Sequence, residues 1–552
     1  MLLLLAQLVA PPVQPGPVRL PGAGIERPAA SPLPLGPNPA PVGRPEPSTG
    51  PPTSSLPVPT VVGVQPYGPG RLRQILEPCL AVAAPDRLEA CAQRLAGQLL
   101  NDGYINSRVY ALPGPAAGTL EVVEGRLAEV RVECAQPRLQ RRLQRLVQPL
   151  QGKVLHLPSL QASLSLLQRQ PGVGRLSLAL NRLGGDSSQG VLVIQAEPGG
   201  QPLQGELTLR NDGTAGSGQF RGLATLLQPD LLLPGDSLLL FTELNADENP
   251  SLGALNGSLS YTLPLSDSLR LSTAFAASSR RYVEVAAPFD SLRFRQLQGL
   301  GQLEFTLAET LNWRWFGFAG LSLNRNDAFL EGRSFPAILG GADSGWLRTG
   351  FLRSGLGGEG VTGRLAWSGS LYGLQGVAGL TNAAQREELA SFGIAPGRAR
   401  ALGGQVSGLY GLAPRWQVQV QLAAQWALAP LPNPMGFSLG SDNGLRGLPG
   451  QVVSGDSGLL GSVELGYTAW QQGAQRLQLV PFVGAGGVRT DLPGVALQRT
   501  SVGAGGLLVR WWQGRHWQLE LGWVRQFGSD GRPAWQDWLL SSGLYTKLDY
   551  RF

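Results

Sequence analysis

The chain has 552 residues, room for two to four domains, yet only 15% of them are charged, and Gly (76) and Pro (44) are abundant; soluble domains usually carry about 25% charge. Its net charge of +7 comes almost wholly from Arg, since Lys occurs only at 153 and 547, and this compositional skew supports no nucleic-acid partner. Two His and three Cys leave His-based triads and multi-ligand metal centres without material, so no catalytic residue, metal or cofactor is expected.

Met1–Ala10 (MLLLLAQLVA) is an apolar run ending in a small residue. It reads as the h-region of a secretory signal, although no basic residue precedes it; an ordinary buried segment is the alternative. No later stretch reaches the ~18 apolar residues of a transmembrane helix, which leaves β-strands as the means of crossing a membrane. Residues 11–60 are dense in Pro (PPVQPGPV, SPLPLGPNPAPVG, PPTSSLPVP) and read as an extended linker or arm.

Residues 61–197 repeat one pattern twice. The first unit takes a strand at Val61–Val64, helices at Arg71–Leu80 and Arg87–Asp102, and strands at Ser107–Leu112 and Thr119–Val123. In the second, Leu127–Val132 is a strand, Arg138–Val147 and Ser159–Gln168 are helices, and Arg175–Leu180 and Val191–Gln195 are strands. Arg138, Arg141, Arg142 and Arg145 form a solvated helix face. Cys79 and Cys91, on successive helices, can close a disulfide suited to an oxidising compartment, leaving Cys134 unpaired.

From Pro202 onward the period becomes two. Trp416, Val418, Val420, Leu422, Ala424 and Trp426 share one face, opposite Gln417, Gln419, Gln421 and Gln425. Successive side chains of a strand point to opposite sides, so this eleven-residue segment has a greasy face with Trp at both ends and a polar face, as in a membrane strand with aromatic girdles. The same phase holds around Val463–Ala469 and Trp517–Trp523, and places Glu464 and Glu520 on the polar, inward face. The last strand alternates to the terminal Phe552. At the spacing of membrane strands, about 350 residues make roughly 14–18 strands, an even number.

These residues resemble a known family. Leu100–Gly125 (LNDGYINSRVYALPGPAAGTLEVVEG) is similar to the first POTRA domain of the TpsB transporters of two-partner secretion, the ShlB/FhaC/HecB-type hemolysin secretion/activation proteins. Asn211, Gly213, Gly218 and Arg221 follow that family's pattern at barrel entry, and Phe437–Gly458 (FSLGSDNGLRGLPGQVVSGDSG) resembles its FxLGGxxSVRGY…SGDxG segment. The resemblance implies POTRA domains at 61–124 and 125–200 and a membrane β-barrel of about 16 antiparallel strands at 201–552. It also implies that Arg446, Gly447 and Leu448 form the tip of a hairpin folded into the lumen, with Arg446 held by lumen carboxylates. Glu464 and Glu520 are the candidate partners; plain lining of a wet lumen is the other reading of them. Two departures stand out: Leu448 replaces an aromatic residue, and Gly484 replaces the inward Asp of an FxDxG strand, so another carboxylate must hold the Arg or the hairpin is looser. Tyr550 and Phe552 correspond to the C-terminal assembly signal read by the barrel-assembly machinery.

GDSG at Gly455–Gly458 lacks a base within reach and is set aside as a protease motif. GxGxxG at Gly355, Gly357 and Gly360 lacks a βαβ context and reads as a turn. The function expected from the resemblance is export of a large TpsA-like exoprotein across an outer membrane, with the POTRA domains in the periplasm and lipid around the barrel. An insertase or protein-import barrel and a passive porin are the alternatives.

Overall fold

The computed structural model describes residues 58–552 except 64–65, 83–85, 115–117, 169, 171, 184–185, 200–202, 215, 234, 248–250, 284–288, 342–343, 491–496 and 529–536. The apolar run at 1–10, the Pro-rich arm up to residue 57, and Val64 of the first expected strand lie outside the described residues.

The N-terminal unit holds two α+β modules of one topology. In the first, β1 (Thr60–Val62), α1 (Pro69–Leu80), α2 (Arg87–Asn101), β2 (Arg108–Leu112) and β3 (Thr119–Val123) build a sheet of order β1-β3-β2, with β1 parallel to β3. Pro starts α1 where an amide hydrogen would be unpaired anyway. On α2, Cys91, Leu95 and Leu99 recur every four residues and pack on Leu120 and Val122 of β3. Cys79 is bonded to Cys91, their Cα atoms 5.1 Å apart, which staples α1 to α2; Cys134 is a free thiol.

The second module repeats this with β4 (Arg126–Cys134), α3 (Pro137–Val147), α4 (Leu157–Gln168), β5 (Val173–Leu183) and β6 (Asp186–Pro198) in the order β4-β6-β5. Leu139, Leu143, Leu146 and Val147 line the buried face of α3, while Arg138, Arg141 and Arg145 are exposed and Arg142 bonds Gln170. The modules are joined through the amides of Leu155 and Leu157, which donate to the carbonyls of Gly125 and Gly103, and through Tyr104 stacked on His156.

The C-terminal unit is a closed antiparallel barrel of sixteen spanning strands. They are β7 (Gln204–Arg210), β8 (Phe220–Pro229), β9 (Ser237–Ala246), β10 (Leu252–Pro264), β11 (Leu269–Arg281), β12 (Arg293–Glu309) and β13 (Trp313–Leu330), the two-residue β14 (Arg333–Ser334) folding back on β13. Then come β15 (Trp346–Thr362), β16 (Leu365–Gly376), β17 (Arg400–Ala413) and β18 (Trp416–Ala427). After a lumenal excursion the wall resumes with β21 (Ser457–Gln472), β22 (Gln475–Thr490), β23 (Gln498–Gln513), β24 (Trp517–Gly528) and β25 (Leu544–Arg551). Closure is made by β25 on β7, where Lys547–Arg551 pair with Arg210–Glu206. Phe552 extends the seam by exchanging both backbone hydrogen bonds with Gly205, over which its ring lies.

Alternate residues divide the wall. Trp416, Leu422, Trp426, Leu459, Val463, Trp517, Leu521 and Trp523 are exposed outward, whereas Gln425, Gln478, Gln518 and Glu520 are buried inside. At the end where the chain enters β7 the strands are joined by short turns, and aromatic pairs ring that rim: Trp315–Trp367, Trp416–Tyr467 and Trp517–Tyr550. The opposite end carries the long connections, one with a short helix, α5 (Ala383–Ser391). An apolar outside with an aromatic girdle is the form a barrel takes in lipid.

Gly355, Gly357 and Gly360 lie within β15, not in a turn. A Cβ at Gly357 would come within 2.6 Å of the Phe316 ring on β13, and one at Gly355 would meet the Leu371 carbonyl of β16 at 2.1 Å before Phe318 at 2.8 Å; the glycines make room for neighbours on the two adjoining strands.

Candidate functional site

Between β18 and β21 the chain leaves the wall and folds into the lumen as a small hairpin, β19 (Phe437–Leu439) against β20 (Val453–Gly455), with its tip at Ser441–Gly450. Its apolar side chains make the hairpin a plug fitted to one half of the wall. Phe437, Leu439, Leu445 and Leu448 are buried among Leu460, Val480, Phe482, Val488, Ala504, Leu508, Val524 and Tyr545, all of them from β21–β25. The facing strands β12–β16 present polar groups inward instead, among them Gln298, Gln302, Ser322, Asn324, Thr349 and Ser370.

At the tip stands Arg446. Its Nε donates to Glu464 Oε1 at 2.7 Å and its Nη1 to Glu520 Oε2 at 2.5 Å, with the Tyr545 hydroxyl 3.3 Å away. A second guanidinium closes the cluster: Arg510 donates from Nε to Glu520 Oε1 (2.6 Å) and from Nη2 to Glu464 Oε2 (3.3 Å). Each carboxylate thus spends one oxygen on each Arg, and the four charges sum to zero. Such balance is needed, because a buried charge without a partner costs several kcal/mol. Gln518 adds a further donor to Glu520, whose side chain is fully buried.

A second tether holds the other side of the tip. Asp442 accepts from Arg221 Nη1 at 2.5 Å, and Arg221 Nη2 donates to Glu243 at 2.9 Å, so the hairpin is also tied to β8 and β9. The Gly450 amide donates to the carbonyls of Asp212 and Gly213 at barrel entry. Gln421, Gln425 and Gln526 donate to the backbone carbonyls of Asn443, Met435 and Gly447. Gly447 has φ +83°, and a Cβ there would lie 2.4 Å from Val524, so the turn needs Gly. A polar cavity of about 140 Å³ remains under the tip, lined by Arg446, Glu464, Tyr545 and Lys547 among others.

Of the residues singled out from sequence, Arg446, Glu464 and Glu520 meet directly, Gly447 forms the turn and Leu448 is buried beside it. Gly484 lies next to the tip: a Cβ there would be 3.2 Å from Leu445, so Leu445 fills the space an Asp would use. Tyr550 stacks on Trp517 and Phe552 at the seam, away from the tip. Ser457 of GDSG accepts from the Ala427 amide, and His516 is bonded to the Arg551 carbonyl. Arg510 and Asp442 were not anticipated. Arg510 is directly opposite Glu520 in the ladder, but its segment (LLVRWW) is bulky on both faces and hides the alternation.

Residues 348–506 match the family described as Haemolysin secretion/activation protein ShlB/FhaC/HecB. No curated protein matches the sequence. Among solved structures, CdiB from Escherichia coli is similar at 16% identity, covering 89% of each chain with a TM-score of 0.55. CdiB from Acinetobacter baumannii is similar at 15% identity, again covering 89% of each, with a TM-score of 0.52. At these identities the likeness is one of fold: sixteen strands behind tandem α+β modules.

Proposed function

We propose that this chain, which carries the haemolysin secretion/activation family match over residues 348–506, is an outer-membrane translocator for a partner exoprotein of hemolysin or adhesin type. The observation that carries this reading is the hairpin tethered inside the lumen by reversible ionic contacts on two sides. A passive pore has no use for a plug fitted by both apolar packing and a neutral charge quartet. A polypeptide conduit must stay closed until a substrate arrives, and must then yield.

In this reading the tandem modules lie in the periplasm and receive the unfolded partner. The edge strands β2 and β5 leave one side of their backbone unpaired in the sheet, and strand addition there recognises an extended chain with little dependence on its sequence. The partner then enters the lumen, the Arg446 tip is displaced, and the polar wall of β12–β16 lines the path. Arg446, Glu464, Glu520 and Arg510 are gating residues, not catalysts. Tyr550 and Phe552 at the seam serve recognition by the barrel-assembly machinery.

The test compares secreted and outer-membrane proteomes with and without the chain. Loss of one large exoprotein from the medium with other barrels unchanged is expected. A broad fall in outer-membrane barrels supports an insertase instead, and no change in either fraction supports a porin.

A further inference from the structure

The outward face of the barrel gathers arginines at one end, with Asp327 of β13 on the same face. Three times, two arginines stand directly opposite on neighbouring strands: Arg281 with Arg293, Arg325 with Arg348, and Arg489 with Arg499. Each shares its parity with an exposed apolar residue of its own strand, such as Phe275, Leu297, Leu323, Leu352, Val483 or Leu507, so all six point away from the lumen. All lie at the end with the long connections.

Like charges directly opposite, with Cβ atoms about 5 Å apart, destabilise a sheet. Among the described residues, the one carboxylate ion-paired to any of the six is Asp327, bonded to Arg325. Among the described residues, Arg281, Arg293 and Arg348 donate to a backbone carbonyl or a hydroxyl and to no carboxylate; Glu284 and Asp343 belong to the undescribed segments of these two connections. Arg489 lies over the Trp426 ring. Of the undescribed neighbours at 491–496, Asp491 is the one acid in the sequence, so two cations there face at most one local anion.

Below Arg489 and Arg499 runs an open groove of about 990 Å³. Leu371, Leu402, Leu422, Trp426 and Leu459 wall it, and Gly404, Ala424 and Gly487 keep it deep. An apolar trough ending in paired guanidinium groups has the shape of an acyl chain with a phosphate at its head. Guanidinium groups match phosphate oxygens in bidentate geometry and neutralise each other's repulsion through it.

We propose that this outer rim is a collar for phosphorylated glycolipid of lipid A type, with phosphates bridging the arginine pairs and one acyl chain lying in the groove. The inference rests on the barrel lying in an outer membrane, and not on what it exports.

The full-length protein is reconstituted in phosphatidylcholine discs doped with bisphosphorylated lipid A, with the same lipid A stripped of phosphate, or with inorganic phosphate added. Lipid retained through purification is read by mass spectrometry, and barrel closure by heat-modifiable gel mobility. At the usual contribution of a surface Arg to anionic lipid binding, one pair gives about a thirtyfold preference for the phosphorylated form. Arg489→Gln with Arg499→Gln is expected to abolish most of that preference, while Arg364→Gln at the opposite end leaves it intact. If that double variant fails to close, Arg281→Gln with Arg293→Gln is read the same way. Equal retention of both lipids by the native protein, competition by inorganic phosphate at matched concentration, or an unaltered preference in a closed double variant overturns the proposal. Export is not read in this assay, so failure of the translocator reading leaves its result standing.

Discussion

Replacing Glu520 by Gln tests the proposed gating cluster at its most buried point. Glu520 accepts from Arg446 (2.5 Å), Arg510 (2.6 Å) and Gln518 (2.9 Å) and has no solvent-exposed side-chain area. Gln keeps the shape, removes the charge, and turns an amide toward one guanidinium. The effect divides in two. Arg510 is on β23 and Glu520 on β24, so their contact exists whether or not the hairpin is docked, and its loss weakens the barrel as a whole. Removing one partner from a buried network costs about 3–5 kcal/mol. Only the Arg446 contact distinguishes the docked hairpin from the released one. A charge-assisted hydrogen bond contributes about 1.5–3 kcal/mol, so the docked-to-released ratio falls roughly ten- to 150-fold. Planar-bilayer recording reads this as more time in the large-conductance state, and the cycle with Arg446→Gln isolates the pair, with an expected coupling of about 1.5–3 kcal/mol. A folded Glu520→Gln barrel that opens no more often than the native one, or a coupling near zero, refutes the reasoning.

Gly447→Ala places a Cβ 2.4 Å from Val524 at φ +83°; a cost of about 1–3 kcal/mol is expected, seen as faster proteolysis of the tip in a barrel that still closes. Gly484→Asp restores the family residue but crowds Leu445 (3.2 Å) and Ser462 (3.0 Å) and adds a third anion beside a neutral quartet. Channel recording should show a looser hairpin, partly restored by Leu445→Ala. Reducing Cys79–Cys91, which closes a short loop, should lower the melting transition of the N-terminal unit by about 2–4 kcal/mol of stability while leaving the barrel transition alone, as calorimetry with and without reductant will show. Hydrogen bonds from the Tyr67 hydroxyl and then Gln98 hold the Asp102 carboxyl below its usual range. Its contribution is therefore full above the unfolded carboxylate pKa of about 3.9 and lost as pH falls through the lower folded value. Tyr67→Phe should flatten that acid-side slope in thermal melts of the full chain.

The clean alternation of Trp416–Trp426 located β18 to within one residue of its observed end, because every second side chain there is Gln and the rest are apolar. Parity also put Glu464 and Glu520 on the inward face, and both lie against Arg446. What parity cannot reveal is contact between distant strands. Glu464 and Arg510 are separated by β22, and Asp442 reaches Arg221 across the lumen; neither pairing leaves a local signature. Arg510 was hidden by tryptophans at 511 and 512, which make both faces bulky. The β15 glycines misled for the converse reason: glycines usually mark turns, but here they make room for close neighbours on the adjoining strands β13 and β16. Helix α5 has little amphipathic pattern, resting mainly on Leu389, and is started by Asn382, whose side chain accepts from the Gln385 amide.

The central claim is that a polypeptide passes through the lumen, and a photo-crosslinking amino acid at Ser322 tests it most directly. Ser322 faces inward on the polar wall and is 1% exposed, while its neighbour Leu323 faces outward and is 42% exposed. Probes at the two positions in cells that are exporting differ only in the side of the wall they sample. The account predicts a high-mass adduct with one polypeptide at position 322 and none at 323, the adduct increasing when Arg446→Ala releases the hairpin. Continued export with no polypeptide adduct at 322, or equal adducts at both positions, would contradict it.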